Sequence, residues 1–191
     1  MTDQVHQAIT ILKQGGIVIF PTDTAFGIGC RIDNEEAIKK LFMLRKRPET
    51  QATPVLVADV AMAQEYVLPI PAKVKKELLD IYWPGALTVV LPSIESKVPV
   101  LVRGGGQNLG VRMPDHQLAL DLITGVGVPL IAPSANFHGE ETPFAFSALN
   151  PELTKLVDYV VPGTCTVEQA STVVDCSVTP WKILRQGSIS L

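Results

Sequence analysis

Small hydroxyl side chains and glycines follow an apolar run near the start of this sequence. The run at residues 17–20 ends at Pro21, and Thr22, Thr24 and Gly27 come directly after it. Hydroxyl groups supply hydrogen-bond donors and acceptors without charge, and glycine lets a ligand come close to the backbone. The segment is therefore predicted to be a turn that lines a ligand.

Arginines stand at places where a bound anion would explain them. Arg45 and Arg47 leave the end of a predicted helix, where guanidinium groups suit phosphate or carboxylate but where solvated cations are also favoured. Arg112 lies in an apolar strand, and a buried charge there needs an anionic partner, either a ligand or a structural salt bridge. Arg185 repeats this pattern at the end of another apolar strand.

Further polar groups interrupt apolar runs at Ser134, Asn136, Ser171 and Thr172. Each of them taken alone is typical of a turn or a helix cap. Short neutral donors and acceptors also suit recognition of an amino acid or of a sugar edge. Because these segments are spread over one chain together with the arginines, we expect a single pocket that binds an anionic ligand.

Familiar catalytic patterns are missing from the sequence. It has neither of the two common glycine-rich phosphate loops, and no serine lies in the G-x-S-x-G pattern. His6, His116 and His138 lack metal-ligand spacing, so no protein-bound metal site is predicted. The glycines at 104–106 are interpreted as a mobile hinge, with a bend around phosphate as the alternative. Nucleophilic hydrolysis and zinc catalysis are not indicated.

Composition places the chain among ordinary globular enzymes. It has 191 residues, 47% of them hydrophobic and 18% charged, so one domain over residues 1–191 is expected. A formal net charge of −3 argues against a surface that holds nucleic acid by charge alone, so any contact with tRNA should be local or transient. No apolar run approaches the roughly 18 residues of a membrane span, and the start lacks an export signal, so a cytoplasmic protein without membrane contact is expected.

Helical and strand patterns alternate along the chain. Period-3.6 patterns predict helices at 3–14, from 33 onward, at 71–82, 117–124 and 153–157, and apolar runs predict strands at 17–20, 54–58, 87–91, 109–113, 128–132, 159–161, 172–175 and 181–185. This alternation predicts a single α/β domain with a twisted mixed β-sheet flanked by helices and with functional loops at the strand ends.

Seven segments, in order, resemble those of one enzyme family. They are Pro21-Thr22-Asp23-Thr24 to Gly29, Arg45-Lys46-Arg47-Pro48, Trp83-Pro84-Gly85-Ala86-Leu87-Thr88, Val111-Arg112-Met113-Pro114, Ala132-Pro133-Ser134-Ala135-Asn136, Ser171-Thr172-Val173-Val174-Asp175 and Ile183-Leu184-Arg185. Each is weak alone, but together they resemble the YrdC family of threonylcarbamoyl-AMP synthases over almost the whole chain. The length resembles the stand-alone bacterial form.

The resemblance implies a YrdC-like fold and a nucleotidyltransferase that makes threonylcarbamoyl-AMP and pyrophosphate from L-threonine, bicarbonate and ATP. It implies Mg²⁺ accompanying ATP, and other proteins of the tRNA N6-threonylcarbamoyladenosine (t6A) pathway that take up the adenylate. The alternative is a YrdC-like paralogue that binds a nucleotide or RNA without synthase activity.

The resemblance also implies roles for individual residues. Catalytic roles fall on Arg45, Arg47, Ser134 and Asn136. L-threonine contacts fall on Thr24, Arg112, Ser134 and Ser171. ATP contacts fall on Arg47, Asn108, Asn136, Thr142 and Arg185.

Three positions depart from the family pattern. Arg45 stands where the family usually has lysine, with Lys46 beside it. Thr53 stands where a second lysine is usual, after a loop with two extra residues. Phe26 stands where tyrosine is common, which removes one hydroxyl group. The first two changes leave fewer phosphate-facing cations, which would mean weaker ATP binding, a compensating Lys46 or a paralogue with altered activity. The loop from residue 45 to residue 53 is therefore the segment that separates a synthase from a binding paralogue.

Overall fold

The computed structural model describes residues 2–191. Its strands are β1 (Val18–Pro21), β2 (Phe26–Arg31), β3 (Val55–Leu56), β4 (Leu87–Pro92), β5 (Asn108–Arg112), β6 (Leu130–Ile131), β7 (Tyr159–Val160), β8 (Thr172–Asp175) and β9 (Lys182–Arg185). Over this range they form one sheet in the order β7-β1-β2-β6-β3-β5-β4-β8-β9.

The first helix precedes β1, and the other helices lie between β2 and β7. They are α1 (Asp3–Lys13), α2 (Glu35–Leu44), α3 (Val60–Gln64), α4 (Ala72–Val74), α5 (Asp80–Tyr82), α6 (Gln117–Val126) and α7 (Pro151–Leu156). A π-helical stretch, Lys75–Leu79, joins α4 to α5, and a 3-10 turn covers Phe146–Ala148. The helix predicted at 71–82 therefore contains a wider turn in its middle.

The sheet mixes parallel and antiparallel pairs. Strands β1 and β2 are antiparallel, as are β4 and β5, whereas β3 pairs with β5 and β4 pairs with β8 in parallel. The predicted mixed sheet flanked by helices is confirmed. One consequence matters for the site. The parallel β4–β8 pair places Thr88 opposite Val173, so Thr88 lies on the same face of the sheet as Ser171, two residues before Val173.

Strand β1 is buried on both faces, which explains its continuous apolar sequence. Val18 and Phe20 pack in a cluster with residues of α1 and α6. Ile19 points to the other face and joins the larger core, which contains the apolar side of α2. Side chains alternate between the faces of a strand, so one short run contributes to both cores.

Strand β2 was not predicted, and the ligand-lining turn proposed from the sequence is shorter than expected. The turn covers Thr22 to Ala25, and β2 follows it as the second strand of a hairpin. Two glycines weaken the strand signal, but at Gly29 a Cβ would lie 2.4 Å from the carbonyl oxygen of Ile131. The glycine is therefore required by the close packing of β2 against β6.

None of the helices found between residues 2 and 191 has the length and apolar character needed to cross a membrane.

Candidate active site

A cavity of about 240 Å³ lies where the β1–β2 turn, the segment after α2, and strands β4, β5 and β8 meet. Seven residues predicted to contact ligands line it, namely Thr24, Arg47, Arg112, Ser134, Thr142, Ser171 and Arg185. They come from segments separated by up to 161 positions in the sequence, from residue 24 to residue 185. The fold therefore brings these distant polar segments onto one wall.

The two threonines of the β1–β2 turn have different roles. The Thr22 hydroxyl donates to the Ala25 carbonyl oxygen at 2.7 Å and accepts from the Ala25 amide at 3.2 Å. Thr22 is thus mainly a turn residue, the structural interpretation that its residue type allowed. Thr24 instead accepts a hydrogen bond from Arg112 at 2.6 Å, so its own proton is available to the cavity or to Thr22.

Arg112, at the end of β5, has the anionic partner that its apolar surroundings require. Its Nη2 donates to the Asp23 carboxylate, Nη1 donates to Thr24 Oγ1, and Nε donates to the Gly85 carbonyl oxygen at 3.0 Å. Burial lowers the pKa of Arg112, and the neighbouring Asp23 charge opposes that shift. Arg112 thus forms a structural salt bridge with Asp23, and it also lines the cavity.

Ser171 and Arg185 form a second hydroxyl–guanidinium pair on the same wall. Arg185 Nη2 donates to Ser171 Oγ at 2.9 Å, and Nε donates to the Ser171 carbonyl oxygen at 3.0 Å. Thr88 Oγ1 also lies 3.0 Å from Ser171 Oγ. The guanidinium of Arg185 is therefore fixed by Ser171, immediately before β8.

Arg47 closes the cavity from the segment that follows α2. Its Nε donates to the Gln51 carbonyl oxygen at 3.2 Å, and Nη2 donates to the Ala52 carbonyl oxygen at 2.5 Å. The guanidinium carbon also lies 5.8 Å from the ring centre of Phe42. Partial burial lowers the pKa of Arg47. These contacts hold Gln51 on the cavity wall beside Arg47.

Arg45 and Asn136 do not line the cavity, but they contact each other behind it. Arg45 is only 2% exposed, and its Nε donates to the Asn136 carbonyl oxygen at 2.9 Å. The amide nitrogen of Asn136 donates to the carbonyl oxygens of Phe137 and Glu140. Burial, with the nearby Arg47 charge, lowers the pKa of Arg45 to about 10.

Asn108 lies apart from the other predicted ATP contacts. It begins β5, at the end of the strand away from Arg112, and its side-chain amide donates to Ser177 Oγ at 2.9 Å. It is absent from the cavity lining. The spacing of a five-residue strand explains the separation, since each residue advances the chain by about 3.3 Å.

Several lining residues were not singled out by the sequence argument. They include Thr88, Gln51, Leu56 and Ala132. Thr88 and Ala132 each belong to one of the segments that resemble the family, but the resemblance implied no ligand contact for either of them. Leu56 and Ala132 are apolar and carry no chemical signal in a sequence, so only the packing of β3 beside β6 reveals them.

The charge on the cavity wall is of one sign. Arg47, Arg112 and Arg185 line it, and no aspartate or glutamate is among its lining residues. Asp23 neutralises Arg112 from behind, being 1% exposed. Guanidinium groups beside neutral hydroxyls favour carboxylate and phosphate oxygens, so the arrangement is suited to anionic ligands.

The sheet and its arginine-lined cavity define an α/β protein with an anion-binding site. Residues 10–187 match the model of the Sua5, YciO and YrdC proteins, a family described by the words telomere recombination, and the chain belongs to this family.

Relatives at moderate identity carry an enzyme name. A threonylcarbamoyl-AMP synthase of Bacillus subtilis is 35% identical over 98% of this chain and 54% of its own length. A threonylcarbamoyl-AMP synthase of Vibrio vulnificus is 30% identical over 98% of this chain and 100% of its own length. A solved structure of P. abyssi Sua5 complexed with L-threonine superposes with a TM-score of 0.90 at 30% identity, over 97% of this chain and 54% of that one. The chain thus spans about half the length of some relatives it matches.

Proposed function

We propose that this chain is an L-threonylcarbamoyladenylate synthase, which forms threonylcarbamoyl-AMP and pyrophosphate from L-threonine, bicarbonate and ATP. The observation that carries the proposal is the cavity wall, on which Arg112 with Thr24 and Arg185 with Ser171 face the same space as Arg47. The names of the relatives and the threonine complex of P. abyssi Sua5 support it.

The geometry favours one division of the cavity between the substrates. The carboxylate of threonine would lie near Arg112, Thr24 and Ser171, where buried donors converge. The phosphates of ATP would lie toward Arg47 and Arg185, which are more exposed. Ser134 and Thr142 complete the polar lining.

The chemistry needs no nucleophile from the protein. The amine of threonine adds to CO₂ derived from bicarbonate, loses a proton and gives a carbamate. A carbamate oxygen then attacks the α-phosphorus of ATP, a new P–O bond forms, and the bond to the departing pyrophosphate breaks. Positioning two substrates and neutralising the transferring group are the main catalytic contributions for such a step, which suits a wall of arginines and hydroxyls.

Magnesium is proposed as a companion of ATP. Among residues 2–191, no group of three histidine, cysteine, aspartate or glutamate side chains could hold a metal ion, and the cavity lining contains no carboxylate. The lining therefore does not fit a cage that binds the ion by itself. Mg²⁺ often keeps several waters and binds through substrate phosphates, so the nucleotide would carry it into the site.

For Arg45 and Asn136 to have the proposed catalytic roles, the hydrogen bond between them would have to break so that their side chains can reach the cavity. Arg45 has one guanidinium nitrogen, Nη1, without a partner among the described residues, and its charge lies close to Arg47. A bound polyphosphate would give that nitrogen an acceptor. Asn108 would similarly have to leave Ser177 to reach ATP.

The direct test is incubation with labelled bicarbonate, L-threonine, ATP and magnesium, followed by separation of the products. We expect a labelled adenylate and an equal amount of pyrophosphate. A protein that binds ATP but forms no labelled adenylate would instead be the binding paralogue. Repeating the reaction with serine tests whether the methyl group of threonine is recognised.

We further propose that the adenylate is passed to other t6A-pathway proteins for transfer to tRNA. Support comes from the chemistry of the product, a mixed anhydride that reacts with amines. The formal net charge of −3 argues against a surface that holds tRNA by charge alone, which favours transfer by other proteins.

A further inference from the structure

Thr88 lies deep in the cavity wall and has a single hydrogen-bond partner among the described residues. It is 3% exposed in strand β4, and its hydroxyl oxygen lies 3.0 Å from that of Ser171. A buried hydroxyl needs a partner, because leaving it unpaired costs free energy. Thr88 and Ser171 are thus coupled, although 83 positions separate them in the sequence.

The hydrogen bonds of Ser171 determine what it can offer to a ligand. A serine hydroxyl has one proton to donate and two lone pairs to accept with. Arg185 Nη2 already donates to Ser171 Oγ and occupies one lone pair. If Thr88 donates to the second lone pair, Ser171 can only donate toward the cavity. A hydroxyl fixed in this way binds a carboxylate oxygen and rejects an ammonium group.

We propose that Thr88 is a positioning residue, which orients the Ser171 hydroxyl as a donor to the carboxylate of the amino-acid substrate. This inference rests on the proposed function and names a residue that acts through Ser171. The register supports it, because Thr88 is opposite Val173 in the parallel β4–β8 pair and Ser171, two residues before Val173, lies on the same face of the sheet. The hydroxyl of Thr88 is thereby held at a fixed place behind Ser171.

The surroundings of Thr88 allow variants that remove its hydroxyl group and its methyl group separately. Its oxygen faces Ser171, whereas its methyl group faces Gly110, where a Cβ would lie 3.5 Å from Thr88 Cγ2. Thr88→Val removes the hydroxyl and keeps the shape, while Thr88→Ser keeps the hydroxyl and removes the methyl group. The two variants therefore separate hydrogen bonding from packing. Thr88→Ala provides a second variant without the hydroxyl should valine not be accommodated.

The experiment is titration calorimetry of L-threonine into the wild type and each variant, followed by steady-state measurement of KM and kcat. We expect Thr88→Val to bind L-threonine roughly threefold to tenfold more weakly, the effect of one lost net hydrogen bond. KM for L-threonine should rise by the same factor, KM for ATP should change less than about twofold, and Thr88→Ser should resemble the wild type.

Other outcomes would contradict either the positioning role of Thr88 or the proposed function. If the wild type binds L-threonine and Thr88→Val binds it equally well, the positioning role is wrong while the proposed function stands. If Thr88→Ser weakens binding as much as Thr88→Val, the methyl group matters through packing and the positioning role is again wrong. If the wild type binds no L-threonine, the proposed function fails and this inference fails with it.

Discussion

Arg47 is the cavity arginine whose contacts involve only backbone carbonyls and an aromatic ring. It donates to the carbonyl oxygens of Gln51 and Ala52, whereas Arg112 and Arg185 both donate to side-chain hydroxyls. No carboxylate is among its hydrogen-bond partners in the described part of the chain. Its charge, like that of Arg185, is therefore not neutralised by a carboxylate and is available to a phosphate.

We predict that Arg47→Ala lowers kcat for pyrophosphate release by roughly 100-fold, the size of effect seen when one preorganised donor to a developing charge is removed. The free energy of unfolding should change little because the side chain is partly exposed. The measurement is coupled pyrophosphate release with urea denaturation alongside. Lys46→Ala is the matched control, since it removes a neighbouring cation that is exposed and absent from the cavity lining. Equal losses in both variants would mean that overall charge, and not the position of Arg47, is responsible.

The sequence predicted the polar residues of the site better than it predicted their partners. Thr24, Arg112 and Ser171 are recognisable because polar groups beside apolar runs need an explanation. The sequence left open whether Arg112 pairs with a ligand or with another part of the protein. In the structure it pairs with Asp23, which is distant in the sequence, so only the tertiary fold reveals this partner. Arg45 could not be separated from Arg47 by residue type. The direction in which the chain leaves α2 buries Arg45 and leaves Arg47 on the wall.

At the scale of elements, the glycine-rich turn at 104–106 supports the segment that carries Arg47. The sequence favoured a mobile hinge there. In the structure Gly104 has a φ of +59° and packs so closely that a Cβ would lie 2.5 Å from the Ala52 amide nitrogen. Ala52 is also a hydrogen-bond acceptor for Arg47. The turn is thus a packing surface beneath the loop that closes the cavity.

Gly104→Ala should therefore raise KM for ATP several-fold, because the added carbon must displace the backbone of Thr50 and Ala52. Gly105→Ala is the control. Its φ of +81° imposes a similar backbone penalty, of order 1 kcal/mol, but a Cβ at Gly105 would meet no atom within 4 Å. Steady-state kinetics with varied ATP check the prediction. An equal rise in KM for both variants would show that backbone strain, rather than contact with the loop, is the cause.

Strand β2 shows why some strands cannot be predicted from the sequence. Its glycines lower the strand propensity, yet the backbone of Ile131 requires one of them at position 29. For β3 and β6 the sequence overestimated the length, since five residues were predicted for each strand and each has two. Apolar runs report burial well, but hydrogen bonding with neighbouring strands decides where a strand ends. Sequence reading was most successful for α1, α2 and α6, whose apolar periodicity is complete.

At the scale of the whole molecule, the buried thiols make the free energy of unfolding depend on pH in the alkaline range. Cys30 lies in the main core, and burial raises its pKa from 9.0 to about 12. In the unfolded chain the thiol ionises near its ordinary pKa, so above pH 9 the unfolded state loses the proton first. The free energy of unfolding should therefore fall as pH rises above 9, by about 1.4 kcal/mol per pH unit for this thiol.

Urea denaturation on both sides of pH 9 measures this slope, and Cys30→Ala is the informative variant. Cys176, whose pKa burial also raises to about 12, should continue to contribute in that variant. The slope should become shallower by the contribution of one thiol, while the stability at neutral pH drops because a core atom is lost. An unchanged slope in the variant would contradict the assignment to Cys30.

The absence of carboxylates among the lining residues has a practical consequence for anyone who assays this protein. A wall of guanidinium and hydroxyl groups does not distinguish the phosphates of a nucleotide from small free oxyanions, apart from the adenosine attached to them. Inorganic phosphate or sulfate in the buffer should act as a competitive inhibitor against ATP. Apparent ATP affinity should accordingly improve on exchange into a chloride buffer of the same ionic strength.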